Sequence, residues 1–246
     1  MGTSNAPSGR RPRGFRGSVS LARIARNHPG WPLILIALLI IGAIGVFADV
    51  AEDVYTADRI TLVDLQLANW LHAHGTPLLT RLMLTVSTLH DMAALSIVTV
   101  LLALFLYRYG ERDWLLSLVL VIPGGMALNT LLKHAFARAR PHFTDPIVTL
   151  TTYSFPSGHV AGSTLLYGFV AVWLISHGHA LAGQIAVVVG ALLMIALVAA
   201  SRVYLGAHFL SDVVGAFFES TAWLGLCLLG RQIAQARAGT GREHRR

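Results

Sequence analysis

Three short segments contain most of the polar side chains that stand out in an otherwise apolar chain. The segment KHAFARARP covers residues 133–141, PSGH covers 156–159, and SRVYLGAHFLSD covers 201–212. They combine cations, histidines and an aspartate, a set that can hold an anion beside a nucleophile or a proton donor. Charged groups cost about 2.5–3.5 kcal/mol each at the centre of a bilayer, so such groups are candidate functional residues. The chemistry that fits this set is the binding of a phosphate group against a histidine.

His208 and Asp212, in the third segment, are the pair best suited to nucleophilic chemistry. Their i, i+4 spacing at the start of the last predicted helix places both side chains on one face. A carboxylate that accepts from one ring nitrogen fixes the tautomer and leaves the other nitrogen free to attack or to transfer a proton. Arg202, six residues earlier, adds a guanidinium suited to phosphate oxygens. The alternative is an interfacial His–Asp pair that only caps the helix.

The second segment predicts a helix start that could bind an anion. Pro156 is tolerated at a helix start, Ser157 is a good capping residue, and Gly158 lets a ligand approach the backbone. The exposed N–H groups and the helix dipole favour an anion there. His159 would then face that anion and could act as a general acid. An ordinary helix start without a ligand is the alternative.

The first segment places cations directly after the third predicted membrane helix. Lys133, Arg138 and Arg140 precede Pro141, which ends the segment. Cations that extend toward the interface are the simpler explanation, but their clustering on the predicted outer side favours a functional site. His134, Arg138, His142 and Asp145 flank this site and could read the headgroup of a substrate, and Arg138 is the one favoured for that role. Asn129, four residues before Lys133, either orients that lysine or makes a hydrogen bond between helices.

Composition indicates an integral membrane protein. The 246 residues are 54% hydrophobic and 13% charged, whereas soluble domains are about 25% charged. The single cysteine excludes an intrachain disulfide and a cysteine metal cluster. The net charge of +7 does not indicate nucleic-acid binding, because the arginines cluster at the two ends of the chain. In a membrane protein, such clusters determine orientation and favour anionic headgroups.

The apolar runs predict an all-α bundle of six transmembrane helices in one domain, residues 31–230. The runs lie at 31–48, 92–107, 113–132, 159–176, 183–200 and 208–229. Residues 1–30 are predicted to be a basic, disordered cytoplasmic tail, and residues 231–246 a second basic cytoplasmic tail. The first outer loop, about residues 49–91, is expected to contain short interfacial helices near 62–71 and 78–88.

The distribution of cations predicts the orientation of this bundle. With six helices, 13 of the 19 Arg and Lys residues fall on the side of the two termini. The termini should therefore be cytoplasmic. The three polar segments then share the opposite, outer face of the membrane.

Glu219 is the main ionisable residue expected deep in the membrane. It follows Asp212 by seven residues on a similar helix face. A carboxyl group at that depth is a functional candidate, although it could equally pair with a polar group on a neighbouring helix. A transporter would need such groups along a path through the membrane. Here the ionisable residues concentrate at one face, which disfavours that class.

The three segments together resemble the signature of the type-2 phosphatidic acid phosphatase superfamily. Its pattern is K-x6-R-P, then P-S-G-H, then S-R-x5-H-x3-D, and every fixed position is matched here. The matching residues are Lys133, Arg140, Pro141, Pro156, Ser157, Gly158, His159, Ser201, Arg202, His208 and Asp212. The resemblance covers about residues 115–230.

This resemblance implies a role for each matched residue. Lys133, Arg140 and Arg202 would bind the phosphate, and the region of Ser157 and Gly158 would donate further hydrogen bonds. His208 would attack phosphorus and form a phosphohistidine, and Asp212 would orient it. His159 would protonate the leaving oxygen and then activate water.

The resemblance also implies a metal-independent integral membrane phosphatase that acts on a lipid phosphate or diphosphate. Candidate substrates are undecaprenyl diphosphate, phosphatidylglycerophosphate and phosphatidic acid. No metal or other cofactor and no nucleic acid is expected, so phosphate release should persist in excess chelator. The expected location is a bacterial inner membrane, with the active site on its outer face. A lipid phosphotransferase would use the same site; vanadate-dependent haloperoxidases share the signature but fit a membrane-bound chain poorly. The oligomeric state stays open.

Overall fold

The computed structural model of the protein describes residues 31–178 and 180–243, and these ranges are entirely helical apart from turns and loops. Residues 1–30, expected to be a disordered basic tail, lie outside the described residues, as do 244–246 at the end of the second expected tail. The described residues form eight helices: α1 (Trp31–Thr56), α2 (Arg59–Ala73), α3 (Pro77–Leu89), α4 (Met92–Arg108), α5 (Arg112–Phe136), α6 (Gly158–Ser176), α7 (Leu181–Tyr204) and α8 (Leu210–Glu243). The predicted all-α class is confirmed.

Five of these helices, α1, α5, α6, α7 and α8, are long and apolar enough to cross a membrane. A sixth span results if α3 and α4, which meet at an angle of 44°, are counted together. The sequence predicts α4 as a complete span, but its 17 residues extend only about 25 Å at 1.5 Å per residue. A hydrocarbon core of about 30 Å needs more. The bent pair therefore supplies the sixth span better than α4 alone.

The two short helices expected in the first outer loop are α2 and α3. Asp58 caps α2 by accepting a hydrogen bond from the N–H of Arg59, and Thr76 caps α3 ahead of Pro77. Helix α2 buries Asp64 and exposes Leu62 and other apolar side chains. One face of this helix thus contacts the bundle while the other is free to contact lipid.

Helix α8 lies at the centre of the bundle and packs against α1, α5 and α6. It continues to Glu243, so residues 231–243, expected to be a tail, extend the helix. The long connection between α5 and α6 folds back over the bundle, where Phe155 packs against Phe47 of α1 and Phe136 of α5.

This arrangement brings the three polar segments to one end of the bundle. The first begins in the last turn of α5, the second begins α6, and the third joins α7 to α8. The backbone N–H of Ser157 donates to the carbonyl of Asp212 at 3.1 Å, which ties the start of α6 to the start of α8. The fold therefore gathers the candidate residues of distant parts of the chain into one place.

Candidate active site

His208 lies in the turn between α7 and α8. Its backbone N–H donates to the carbonyl of Arg202 at 3.2 Å. Its side chain is buried, with Nδ1 3.4 Å from Oδ2 of Asp212 and Nε2 3.2 Å from Nη1 of Arg140. A guanidinium can only donate, so Nε2 accepts and the proton is on Nδ1. The predicted pairing of His208 with Asp212 thus has the tautomer that leaves Nε2 as the reactive nitrogen.

Burial keeps the imidazole of His208 neutral. It lowers the pKa of His208 from the ordinary 6.5 to about 4, although the contact with Asp212 acts in the opposite direction. Arg140 and Lys133 add to the lowering because their charges disfavour a second cation nearby. At neutral pH the ring therefore has a free lone pair, as a nucleophile requires.

Asp212 is held on both of its oxygens. Oδ2 accepts from the hydroxyl of Ser154 and from the N–H of Phe209, the latter at 2.8 Å. Oδ1 accepts from Nη1 of Arg138 at 2.6 Å. The side chain is fully buried, so these partners and His208 determine its orientation.

Arg138 lies behind Asp212, outside the set of residues that line the cavity beside His208. Besides Asp212, it contacts Asp64 of α2 and the hydroxyl of Ser211, and it stacks over the ring of Phe209. Its position does not support the expected role of Arg138 in reading a headgroup. The contact of Arg138 with Asp64 could not be predicted from the sequence, because the two residues are 74 positions apart.

Arg140 bridges His208 and the loop that precedes α6. It donates to the carbonyls of Ala207 and Thr152 at 2.5 and 2.6 Å and to the carbonyl of Tyr153 at 3.1 Å. Burial lowers the pKa of the Arg140 guanidinium, and the charge of Asp212 opposes that effect. Lys133 donates to the carbonyl of Tyr153 at 3.1 Å. Both predicted phosphate-binding cations therefore also hold this loop.

Arg202, near the end of α7, is the third predicted phosphate-binding cation. Its side chain is buried, and Nη1 donates to the hydroxyl of Ser87 at the end of α3. Its Nε has no hydrogen-bond partner among the described residues. Ser87, which no sequence pattern singled out, thus holds Nη1 of this guanidinium, and Nε is left for a ligand.

Helix α6 begins at Gly158, as the sequence predicts. Gly158 and His159 line the same cavity as His208, with the first N–H groups of the helix lacking helical partners. Ser157 does not line that cavity; its hydroxyl is buried and has no hydrogen-bond partner within residues 31–178 and 180–243. Its backbone N–H instead holds the start of α6 against the start of α8 through the hydrogen bond to the carbonyl of Asp212.

Asn129 and Glu219 form a buried pair between α5 and α8. The amide of Asn129 donates to Oε2 of Glu219 at 2.9 Å. Of the two, only Asn129 lines the cavity, and Lys133 lies one turn further along α5. The pairing of Glu219 with a neighbouring helix is therefore observed, and its carboxylate stands behind Asn129.

The cavity beside His208 has a volume of about 490 Å³ and is lined by both polar and apolar side chains. Its polar lining includes the three predicted cations and three histidines (His134, His159 and His208), and its apolar lining comes from α4, α5 and the loop before α6. The named contributors are Lys133, Arg140, Arg202, His159, His208, Met92, Met126 and Leu150. A phosphate with an apolar substituent fits this division.

Within the described ranges, no group of three or more His, Cys, Asp or Glu side chains is arranged as a metal site. The charges that face the cavity are those of Lys133, Arg140 and Arg202. They can balance the charge of a bound phosphate.

Comparison with known proteins gives consistent matches. The profile of the PAP2 superfamily matches residues 114–235. Phosphatidylglycerophosphatase B of Bacillus subtilis (strain 168) is 37% identical over 125 residues, which is 46% of this chain and 55% of that protein. The match thus spans about half the length of this relative.

Two solved structures resemble the fold. A transmembrane PAP2-type phosphatidylglycerolphosphate phosphatase from Bacillus subtilis superposes with a TM-score of 0.69 at 28% identity, covering 76% of this chain and 93% of that one. LpxE of Aquifex aeolicus superposes with a TM-score of 0.53 at 22% identity, covering 68% and 94%. The second likeness concerns the fold alone.

Proposed function

Because the chain belongs to the PAP2 superfamily, we propose that it is an integral membrane phosphatase that hydrolyses lipid phosphates or diphosphates through a phosphohistidine at His208. The observation that carries this proposal is the state of His208. Its ring is buried and neutral, with Nδ1 toward Asp212 and Nε2 toward a cavity lined by Lys133, Arg140 and Arg202.

In the first step, the lone pair of His208 Nε2 attacks phosphorus and the bond from phosphorus to the lipid oxygen breaks. For this attack, the Arg140 N–H that points at Nε2 must turn to a phosphate oxygen and donate its hydrogen bond there, without loss of its proton. The leaving oxygen takes a proton from His159, whose protonated form is favoured by the charge of the bound phosphate. Asp212 stabilises the positive charge that develops on His208.

In the second step, water attacks the phosphohistidine. Neutral His159 takes a proton from the water, the N–P bond breaks, and His208 returns to its neutral form. The products are inorganic phosphate and the dephosphorylated lipid. Lys133 and Arg202 offset charge on the oxygens of the transferring group throughout, the role that Mg²⁺ has in kinases.

The substrate class follows from the mixed lining of the cavity. Met92, Met126 and Leu150 give it an apolar side next to the cations, so a lipid could place its phosphate at His208 while its chains stay in the bilayer. Phosphatidylglycerophosphate is the first candidate to test, since the curated relative and the solved structure from Bacillus subtilis are both named for it. Undecaprenyl diphosphate and phosphatidic acid remain candidates.

The test is phosphate release from these three lipids by the purified protein in detergent, with and without His208→Ala. We expect at least one lipid to be hydrolysed and the variant to lose almost all activity. A matched control is His177→Ala, because His177 lies at the other end of α6. Activity that survives His208→Ala would exclude His208 as the nucleophile.

Product analysis separates hydrolysis from transfer. A hydrolase releases inorganic phosphate at the same rate whether or not a lipid alcohol is added. Phosphate that appears on the added lipid instead would indicate a phosphotransferase acting at the same site. No hydrolysis of any of the three lipids by the unmodified protein would overturn the proposed substrates.

A further inference from the structure

A second carboxylate, Asp64, lies behind the His208–Asp212 pair. Asp64 belongs to α2, the short helix of the first loop, and only 1% of its surface is exposed. It accepts from Nη2 of Arg138 at 2.8 Å, from the N–H of Ser211 at 3.0 Å and from the hydroxyl of Ser211. Three donors converge on it, so both oxygens of Asp64 are engaged.

Arg138 is therefore divided between two carboxylates. Nη2 contacts Asp64, and Nη1 contacts Oδ1 of Asp212 at 2.6 Å. An arginine and a carboxylate often pair through two parallel hydrogen bonds. Here Arg138 makes only one to Asp212, because its second nitrogen is held by Asp64. Oδ2 of Asp212 is left for Ser154, the N–H of Phe209 and the ring of His208.

We propose that Asp64 is a positioning residue for the reaction: it keeps Arg138 on Oδ1 of Asp212, so that Oδ2 stays directed at His208. This inference rests on the proposed function. Neither Asp64 nor Arg138 lines the cavity, so both act through Asp212. Helix α2, outside the three matched segments, is then part of the catalytic machinery.

The consequence of losing Asp64 follows from the geometry of the guanidinium. In Asp64→Asn, Nη2 of Arg138 loses its charged partner and can turn to Asp212 to form the two-bond pair. That pair draws Oδ2 away from Nδ1 of His208. Partners that orient the ligands of a metal site are typically worth about 10-fold to 100-fold in affinity or activity, and we expect a loss of the same order here.

The experiment measures kcat and KM for the lipid that the wild-type protein hydrolyses best. We expect Asp64→Asn to lower kcat by about 10-fold to 100-fold and to leave KM unchanged, since Asp64 does not contact the cavity. The control is Asp58→Asn, the exposed capping residue of the same helix. It removes the same charge, and asparagine caps a helix equally well.

A double variant distinguishes positioning from general structural support. Lysine is a point charge that cannot form the two-bond pair, so Asp64→Asn with Arg138→Lys should be several-fold more active than Asp64→Asn alone. A merely structural role predicts the opposite, because the second substitution would add to the damage. A double variant no more active than the single one would overturn the proposal.

Phosphate binding provides a readout that does not depend on activity. Inorganic phosphate should raise the unfolding temperature of Asp64→Asn as much as that of the wild-type protein. If Asp64→Asn loses both its activity and its stabilisation by phosphate, Asp64 supports the fold and the proposal is overturned. A kcat within twofold of wild type would also overturn it. Failure of the proposed function looks different: the wild-type protein would be inactive, or His208→Ala would be active.

Discussion

Of the five contacts that the Arg140 guanidinium makes with other described residues, the proposed reaction changes one. Its Nη1 directs one N–H at Nε2 of His208 and another at the carbonyl of Ala207. Binding of phosphate requires only the first of these to change, since the contacts with Ala207, Thr152 and Tyr153 involve the protein backbone and a hydroxyl. The cation that holds His208 in place can thus bind the substrate with little movement.

The protonation state of His208 is the first prediction at the scale of single residues. Burial lowers its pKa to about 4, so the ring should be neutral, and able to attack, at any pH well above 4. As the pH falls through 4 the ring gains a proton and loses its lone pair. NMR of histidine labelled with ¹³C should show the His208 signal, identified by its loss in His208→Ala, titrating near pH 4. Titration near the ordinary value of about 6.5 would contradict the buried, neutral nucleophile.

Contacts between side chains that are close in the sequence could be predicted, whereas contacts between distant parts of the chain could not. The spacing of His208 and Asp212 sufficed to predict their contact, because Asp212 lies in the first turn of α8 and His208 only two residues before that helix. Asp64 and Ser154 reach Asp212 and its partner Arg138 from other parts of the chain, and nothing in their own surroundings in the sequence indicates this. Asp64 is one acidic residue among several in its loop. Only the fold distinguishes Asp64 from the other acidic residues of the loop, because it buries Asp64.

At the scale of elements, the turn between α7 and α8 determines where His208 lies. Gly206 has a φ of +66°, in the left-handed region that glycine adopts without strain. A Cβ at this position would lie 2.7 Å from Cε2 of Phe143. The turn therefore requires glycine for its backbone conformation, and the close approach of Phe143, in the loop after α5, requires it for space. The position of His208 thus depends on a residue that has no polar group.

We therefore expect Gly206→Ala to lower both stability and activity. The left-handed backbone costs an alanine about 1 kcal/mol or more, and the contact with Phe143 adds to this, so the unfolding temperature in detergent should fall. The shift of the turn should lower kcat as well. The control is Gly190→Ala within α7, where an added Cβ meets nothing within 4 Å, and alanine favours a helix. Equal stability of the two variants would contradict this account of the turn.

The break between α3 and α4 shows why the number of elements was harder to predict than their type. Both helices are apolar, so the sequence predicts each of them, but it does not predict that they meet at 44°. His90 at the break is held by the carbonyl of Val86 and the hydroxyl of Tyr167. Ser87, one turn earlier, contacts Arg202. Contacts with distant helices therefore fix the bend and position a cation of the site.

At the scale of the whole molecule, the polar segments occupy one end of an apolar bundle. The ends of α5 and α7 and the starts of α6 and α8 meet there, as the predicted six-helix order requires. Which side of the membrane that end faces is a separate question, and the cations of the terminal segments are the basis for an answer. Most of those cations lie outside the described residues, so the orientation stays a prediction from the sequence.

Labelling of cysteines in intact cells tests that orientation. Tyr153 lies beside the candidate site and Tyr109 lies after α4, toward the other end of the bundle, and both side chains are exposed, by 41% and 70%. The single native cysteine is first replaced in Cys227→Ser. In that background, a membrane-impermeant maleimide should modify Tyr153→Cys in intact cells and Tyr109→Cys only after lysis, because the positive-inside rule places the arginine-rich termini in the cytoplasm. The reverse pattern would place the site on the cytoplasmic face, where its lipid substrate would have to come from the inner leaflet.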